Sequence, residues 1–199
     1  GYFGSGTTPT GTTVVRLDYS NDAAACVAKG SLNTARYDAA AVGNKDFGYF
    51  VGGQPGPISS IDRIDYSNDT ATTAPKGLLS ANRRLSGNAS GNSNFGYIGG
   101  GQDSGTTSDV DRIDYSNDTA TAVAKGPLHE KVMRPSATGS KDFAYFGGGS
   151  PATPSLSLVQ RIDYSNDTAT CSPRGPLHTA IDASGATGGG ENGLPQFGA

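Results

Sequence analysis

At 199 residues the chain has room for one sizeable domain and not for two comfortable ones. A formal net charge of −3 gives no electrostatic reason to expect nucleic acid as a partner. With 34% hydrophobic and 17% charged residues it is not a disordered chain, and no apolar run nears the roughly 20 residues that cross a bilayer.

The chain opens on a short aromatic segment, Gly1-Tyr2-Phe3-Gly4. Val15 to Asp22 (Val-Arg-Leu-Asp-Tyr-Ser-Asn-Asp) follows, then Lys29-Gly30-Ser31-Leu32 and the small-residue stretch Ala39-Ala40-Ala41-Val42. The aromatic segment then returns as Phe47-Gly48-Tyr49-Phe50, Phe95 to Ile98 and Phe143 to Phe146, each running into glycines. The arginine-aspartate-tyrosine segment recurs as Asp62 to Asp69, Asp111 to Asp118 and Gln160 to Asp167. The lysine/arginine-glycine anchor recurs as Lys76 to Leu79, Lys125 to Leu128 and Arg174 to Leu177. Tyrosines at 19, 66, 115 and 164 set a period near 48, within the roughly 40–50 residues of a four-stranded propeller blade.

Each unit therefore predicts four strands: the small-residue stretch, the aromatic strand, the segment Val110 to Tyr115, and the Thr-rich run Thr119 to Val123. Ser-Asn-Asp between the last two supplies positive φ or an Asx bond for a tight turn. No segment carries a period of 3.6, so helix content is expected near zero. The expected fold is all-β: a propeller of four repeats with four antiparallel strands per blade. Units at about 1–46, 47–94, 95–142 and 143–199 make up a single domain, 1–199. A chain that opens on Gly1 is expected to belong to something longer. Ala183 to Gly188 reads as the first strand of a further unit. Were it to complete the opening one, strands from both termini would close the ring and remove its exposed edges.

Glycines after an aromatic strand, a strand ending in Asp-Tyr, a Thr-rich strand and a Gly-Pro-Leu exit resemble the Kelch repeat over essentially the whole chain. The chain departs from that pattern in having no tryptophan. An arginine after the leucine is present as Arg36 and Arg83 but is replaced by Val132 and Ile181. The near-verbatim Arg-Ile-Asp-Tyr-Ser-Asn-Asp repeats also resemble virion structural proteins of marine bacteriophages of the cyanophage type. That resemblance implies a virion or extracellular location and an oligomeric assembly of surface subunits.

The residues offer little to catalysis. Arg16/Asp18, Arg63/Asp65, Arg112/Asp114 and Arg161/Asp163 recur at i, i+2 on one strand face. A feature present in every repeat builds blades rather than one site, so these are expected to be structural ion pairs between blades. Asp-Tyr-Ser-Asn-Asp lacks the spacing, glycine and terminal glutamate of a calcium loop, and the glycine runs precede no helix that could seat a phosphate. Cys26 and Cys171 occupy equivalent points of different repeats and are expected to be separate thiols. No catalytic residue, cofactor or metal is expected.

What varies between repeats lies in two sets of loops, after the leucine and after the glycines. Arg83, Arg84, Gln102, His129, Lys131, Arg134 and His178 there form the candidate binding residues, donors suited to a carboxylate-bearing glycan or an acidic protein surface. The expected function is a non-enzymatic structural or adhesion module of a tail, fibre or capsid surface. It would contact neighbouring virion or surface-assembly subunits, or a host-surface glycan. The other reading is a secreted carbohydrate-binding propeller.

Overall fold

The structure, a computed structural model, describes residues 1–7 and 11–187. It is all-β, with four antiparallel sheets arranged as blades in a propeller-like order. Blade I holds β1 (Tyr2–Gly4), β2 (Val14–Arg16) and β3 (Val27–Ala28). Blade II holds β4 (Ala40–Gly43), β5 (Phe47–Val51), β6 (Ile58–Asp65) and β7 (Ala74–Arg83). Blade III holds β8 (Ala89–Gly91), β9 (Phe95–Gly99), β10 (Val110–Asp114) and β11 (Val123–Lys125). Blade IV holds β12 (Ser136–Gly139), β13 (Phe143–Gly147), β14 (Val159–Asp163) and β15 (Ser172–Arg174). Every sheet is a simple meander, its strands hydrogen-bonded in chain order.

The innermost strands are the small-residue stretches. Ala41, Val42 and Gly43 of β4, Ala89, Ser90 and Gly91 of β8, and Ala137, Thr138 and Gly139 of β12 line an axial cavity of about 240 Å³. Small side chains are what this crowding permits. Ala186 and Thr187 line the same cavity; Gly188, expected to continue that strand, lies outside the described residues.

The Ser-Asn-Asp turns take the Asx form. In blades II to IV each is a single 3-10 turn whose preceding aspartate caps it: Asp65, Asp114 and Asp163 each accept from the amide and hydroxyl of the serine two residues on. The turn consumes residues that the Thr-rich pattern suggested for a strand. In blade III the outer strand therefore starts at Val123 and not at Thr119.

Three blade–blade junctions are built alike. The tyrosine of each aromatic strand stacks on the turn tyrosine of the following blade: Tyr2 on Tyr66, Tyr49 on Tyr115 and Tyr97 on Tyr164, with ring centroids at 4.9, 5.0 and 4.8 Å. An aromatic or aliphatic side chain of the following blade fills the space beside the preceding one. A Cβ on Gly4 would lie 2.7 Å from the Phe50 ring, and one on Gly99 would lie 2.9 Å from the Phe146 ring. Where the following residue is the smaller Ile98, Val51 takes the glycine's place, and both lie in one buried cluster with Leu79 and Leu85. Burying such side chains is worth roughly 1.5–3 kcal/mol each, so the core is a series of inter-blade layers and not one centre.

Candidate functional site

The charged side chains of the repeats converge on the turn aspartates. Asp69 Oδ2 accepts from Tyr2 at 2.8 Å and Arg16 at 2.7 Å, and its Oδ1 lies 3.0 Å from Lys29 Nζ. Asp118 receives Tyr49 at 2.9 Å, Arg63 at 2.7 Å and Lys76 at 3.2 Å. Asp167 receives Tyr97 at 2.8 Å, Arg112 at 2.8 Å and Lys125 at 3.0 Å. In each case the backbone carbonyl of the same aspartate accepts the amide of Gly30, Gly77 or Gly126 at 2.8 Å. Three donors on one blade thus clamp one carboxylate of the next.

The expected pairing of Arg16, Arg63, Arg112 and Arg161 with Asp18, Asp65, Asp114 and Asp163 is not the one formed. The first three arginines do bridge blades, but to the aspartate six residues past the equivalent arginine of the following blade. The reason is local: the nearer aspartate is already committed to capping its own turn. Arg161 makes no ion pair among the described residues, and its guanidinium rests over the Phe143 ring at 4.2 Å.

Burial alone would raise the carboxyls of Asp69 and Asp167. The lysine, tyrosine and arginine donors outweigh it and hold both below the ordinary carboxylate range. Burial likewise lifts the tyrosines, Tyr66 and Tyr164 being pushed up to about 12.

A second clamp lies deeper. Arg36, fully buried, reaches Asp62 at 3.2 Å and donates to the carbonyls of Gly52 and Ser60 at 2.9 Å. Arg83 repeats this with Asp111 and with the carbonyls of Gly100 and Asp109, both at 2.9 Å. At 1% exposure Arg83 is a core residue, so its expected place on a binding rim is corrected: it offers nothing to a partner. At the third junction Val132 and Gln160 replace the charged pair. Gln160 still accepts the amide of Glu130 at 2.7 Å, as Asp62 accepts that of Thr34 and Asp111 that of Ser80.

The remaining rim residues stay at the surface. The backbones of Arg84 and Gln102 exchange two hydrogen bonds, 2.8 and 3.0 Å, so the loop after the leucine and the loop after the glycines are brought together there. Met133 and Ser150 repeat this bridge one blade on. Arg84 pairs with Asp38 at 2.8 Å and Arg134 with Asp182 at 2.9 Å, both pairs half-exposed. His129, Lys131 and His178 are exposed, and no described contact draws them to one another. Among the described residues no group of three or more His, Cys, Asp or Glu could hold a metal ion. Both thiols are free, Cys26 exposed and Cys171 buried.

Sequence reasoning missed the receiving aspartates Asp69, Asp118 and Asp167, together with the lysines and aromatic-strand tyrosines that hold them. Their signal was present, since all recur at the blade period.

No family model and no curated protein matches the sequence. Among solved structures the chain is similar to that of YjhT, with a TM-score of 0.68 over 91% of this chain and 63% of that one, at 12% identity. The chain thus spans somewhat less than two thirds of that relative, and the likeness is one of fold.

Proposed function

We propose that this chain is a non-enzymatic structural and adhesion module of a virion-type surface assembly, a tail, fibre or capsid-surface component that presents its loops to a host surface or a neighbouring subunit. One observation carries the reading: the arginines, lysines and aspartates that recur at the three formed junctions are engaged in capping turns or clamping blades. What is left at least partly exposed is the loop rim around Arg84, Gln102, His129, Lys131, Arg134 and His178, in which Arg84, Lys131 and Arg134 differ from blade to blade. A rigid frame with tolerant loops suits recognition, whereas catalysis needs one asymmetric constellation. The Arg-Ile-Asp-Tyr-Ser-Asn-Asp repeats supply the virion part of the reading. The rim's cations are partly neutralised by Asp38 and Asp182, so it would read shape and hydrogen bonding as well as charge.

The test is binding of the labelled chain to intact bacterial cells and to a glycan array, with Arg84→Glu/Arg134→Glu as the rim variant. Cell binding lost in the variant at unchanged melting temperature supports the proposal. Glycan binding without any cell or subunit binding would select the secreted carbohydrate-binding reading instead. No binding by the parent chain to either would overturn both.

A further inference from the structure

We propose that the cleft between blades II and III, at the end of the blades opposite the loop rim, is a binding site for a neutral, hydroxyl-rich ligand: a single sugar ring or the tip of a glycan.

The meander places the cleft there. Within a blade the first and third turns close at one end, while the loops carrying Arg84 and Gln102 leave from the other. At the former end the β4–β5 hairpin, the β8–β9 hairpin and the capped turn after β10 surround a cavity of about 380 Å³. That volume lies within the roughly 300–1,000 Å³ of small-ligand clefts. Both flanking blades are four-stranded sheets, and the Asn94 carbonyl accepts the Tyr115 amide at 3.1 Å, which pins the second hairpin to the turn.

The lining sets aromatic carbon beside planar polar groups. Phe47 and Phe95 border the cavity, and the Arg63 guanidinium lies over Phe47 at 4.0 Å from its ring centre. Asn44 commits its side-chain oxygen to the amides of Asp46 and Phe47, both at 2.9 Å, which leaves its NH2 group to donate. Ser93 and Asn94 are exposed, and their side chains make no hydrogen bond among the described residues. Asp114 adds a carboxylate that the Ser116 hydroxyl, first of all, holds below the ordinary carboxylate range.

This junction departs from the repeat at one hairpin tip. The hairpins of blades II and IV carry an ion pair there, Lys45 with Asp46 at 2.8 Å and Lys141 with Asp142 at 2.7 Å. In blade III the same two positions are Ser93 and Asn94. The backbone beneath is alike, since Asp46, Asn94 and Asp142 each offer a carbonyl to the amide of the turn tyrosine at 3.0, 3.1 and 3.0 Å. Blade III thus presents a hydroxyl and a carboxamide on the frame that elsewhere presents a charged pair.

This chemistry selects the ligand. An anion would meet Asp46 and Asp114, and the lysine on the neighbouring tip, Lys45, is already paired with Asp46. A wholly apolar ligand would strip water from the polar side chains without replacing its hydrogen bonds. A sugar ring answers both kinds of wall. Its hydroxyls donate to carboxylate or carboxamide oxygens and accept from N–H or O–H groups, and its C–H faces lie against aromatic carbon.

The test is an NMR titration of the isotopically labelled chain with the methyl glycosides of glucose, galactose, mannose and N-acetylglucosamine. At least one is expected to bind with a Kd on the order of 1 mM, as suits a single ring, and to shift the amides of Phe47, Asn94 and Ser116. Ser93→Lys/Asn94→Asp grafts the protein's own Lys-Asp tip onto the same frame. It should keep the melting temperature and weaken binding about tenfold or more. Asp114→Asn retains an oxygen to cap the turn and should also weaken binding, which keeps the inference open to refutation if the graft fails to fold. No shift with any of the four sugars would overturn the inference. So would binding that both variants leave intact, and shifts at Arg84, Gln102 or Arg134 instead would move the sugar to the rim.

Discussion

Tyr97 and Asp167 are separated by 70 residues of chain and meet hydroxyl to carboxylate at 2.8 Å. Arg112 and Lys125 hold the same carboxylate. Replacing Asp167 by alanine leaves three donors on blade III facing each other without their acceptor, and should cost about 3–5 kcal/mol. Asp114→Ala, which removes only a turn cap, should cost about 1 kcal/mol. Urea unfolding of the two variants measures both. Equal losses would return the arginine's partner to the neighbouring position on its own strand.

Gly77 is a contact residue in the negative sense. A Cβ there would sit 1.8 Å from the Ala120 carbonyl oxygen, and backbone cannot yield as a side chain can. Gly77→Ala is expected to destabilise by about 3 kcal/mol or more. At 2–4 °C of melting temperature per kcal/mol for a chain of this size, calorimetry resolves it easily. An unchanged melting temperature would show that blades II and III are not pressed together there.

The deep pair can be exchanged only as a pair. Arg83→Val strands the buried Asp111 and should cost about 3–5 kcal/mol. Adding Asp111→Gln reproduces the Val132–Gln160 arrangement of the next junction and should restore most of the loss. The double-mutant cycle would then show a coupling of about 2 kcal/mol or more. Additive effects would mean that the two residues do not sense each other.

Stability should fall at both ends of the pH scale, for opposite reasons. Asp69 and Asp167 titrate lower folded than unfolded, so their contribution is complete above the ordinary carboxylate value of about 3.9 and is lost as pH drops through the depressed one. Tyr66 and Tyr164 titrate higher folded than unfolded. Their contribution is complete below about 10 and disappears as pH rises toward about 12. Tyr115 is buried, its hydroxyl has no partner within the described residues, and burial raises its pKa well above the usual value. Tyr115→Phe should thus weaken the alkaline fall and leave neutral stability equal or slightly higher. Melting temperatures from pH 2 to 12 decide this, and a Tyr115→Phe profile identical to the parent's would refute it.

The blades were legible from the sequence because a period of about 48 with paired glycines and aromatic strands admits few architectures. Partners were harder to read. Periodicity reveals that Arg112 and Asp167 recur, but not that they meet, since the aspartate belongs to the next turn of the period. Asp114, two residues away on the same strand face, looked the natural mate and proved to be a cap. Arg83 misled for a related reason. It differs from Val132, and difference between repeats resembled the freedom of a loop. It was instead half of an exchange completed by Asp111 and Gln160. Among the rim residues only the histidines and Gln102 recur between repeats, and among the described residues direct bonds join only Arg84 with Gln102.

Because each clamp takes its carboxylate from the following repeat, the order of synthesis matters. Tyr2 and Arg16 precede their acceptor, Asp69, by 67 and 53 residues. At 5–20 residues per second a nascent blade therefore waits several seconds with its cations and apolar face uncovered. Translation completes the blades in sequence, each one finishing its predecessor, and a stalled ribosome would hold a chain whose last blade is always the loosest.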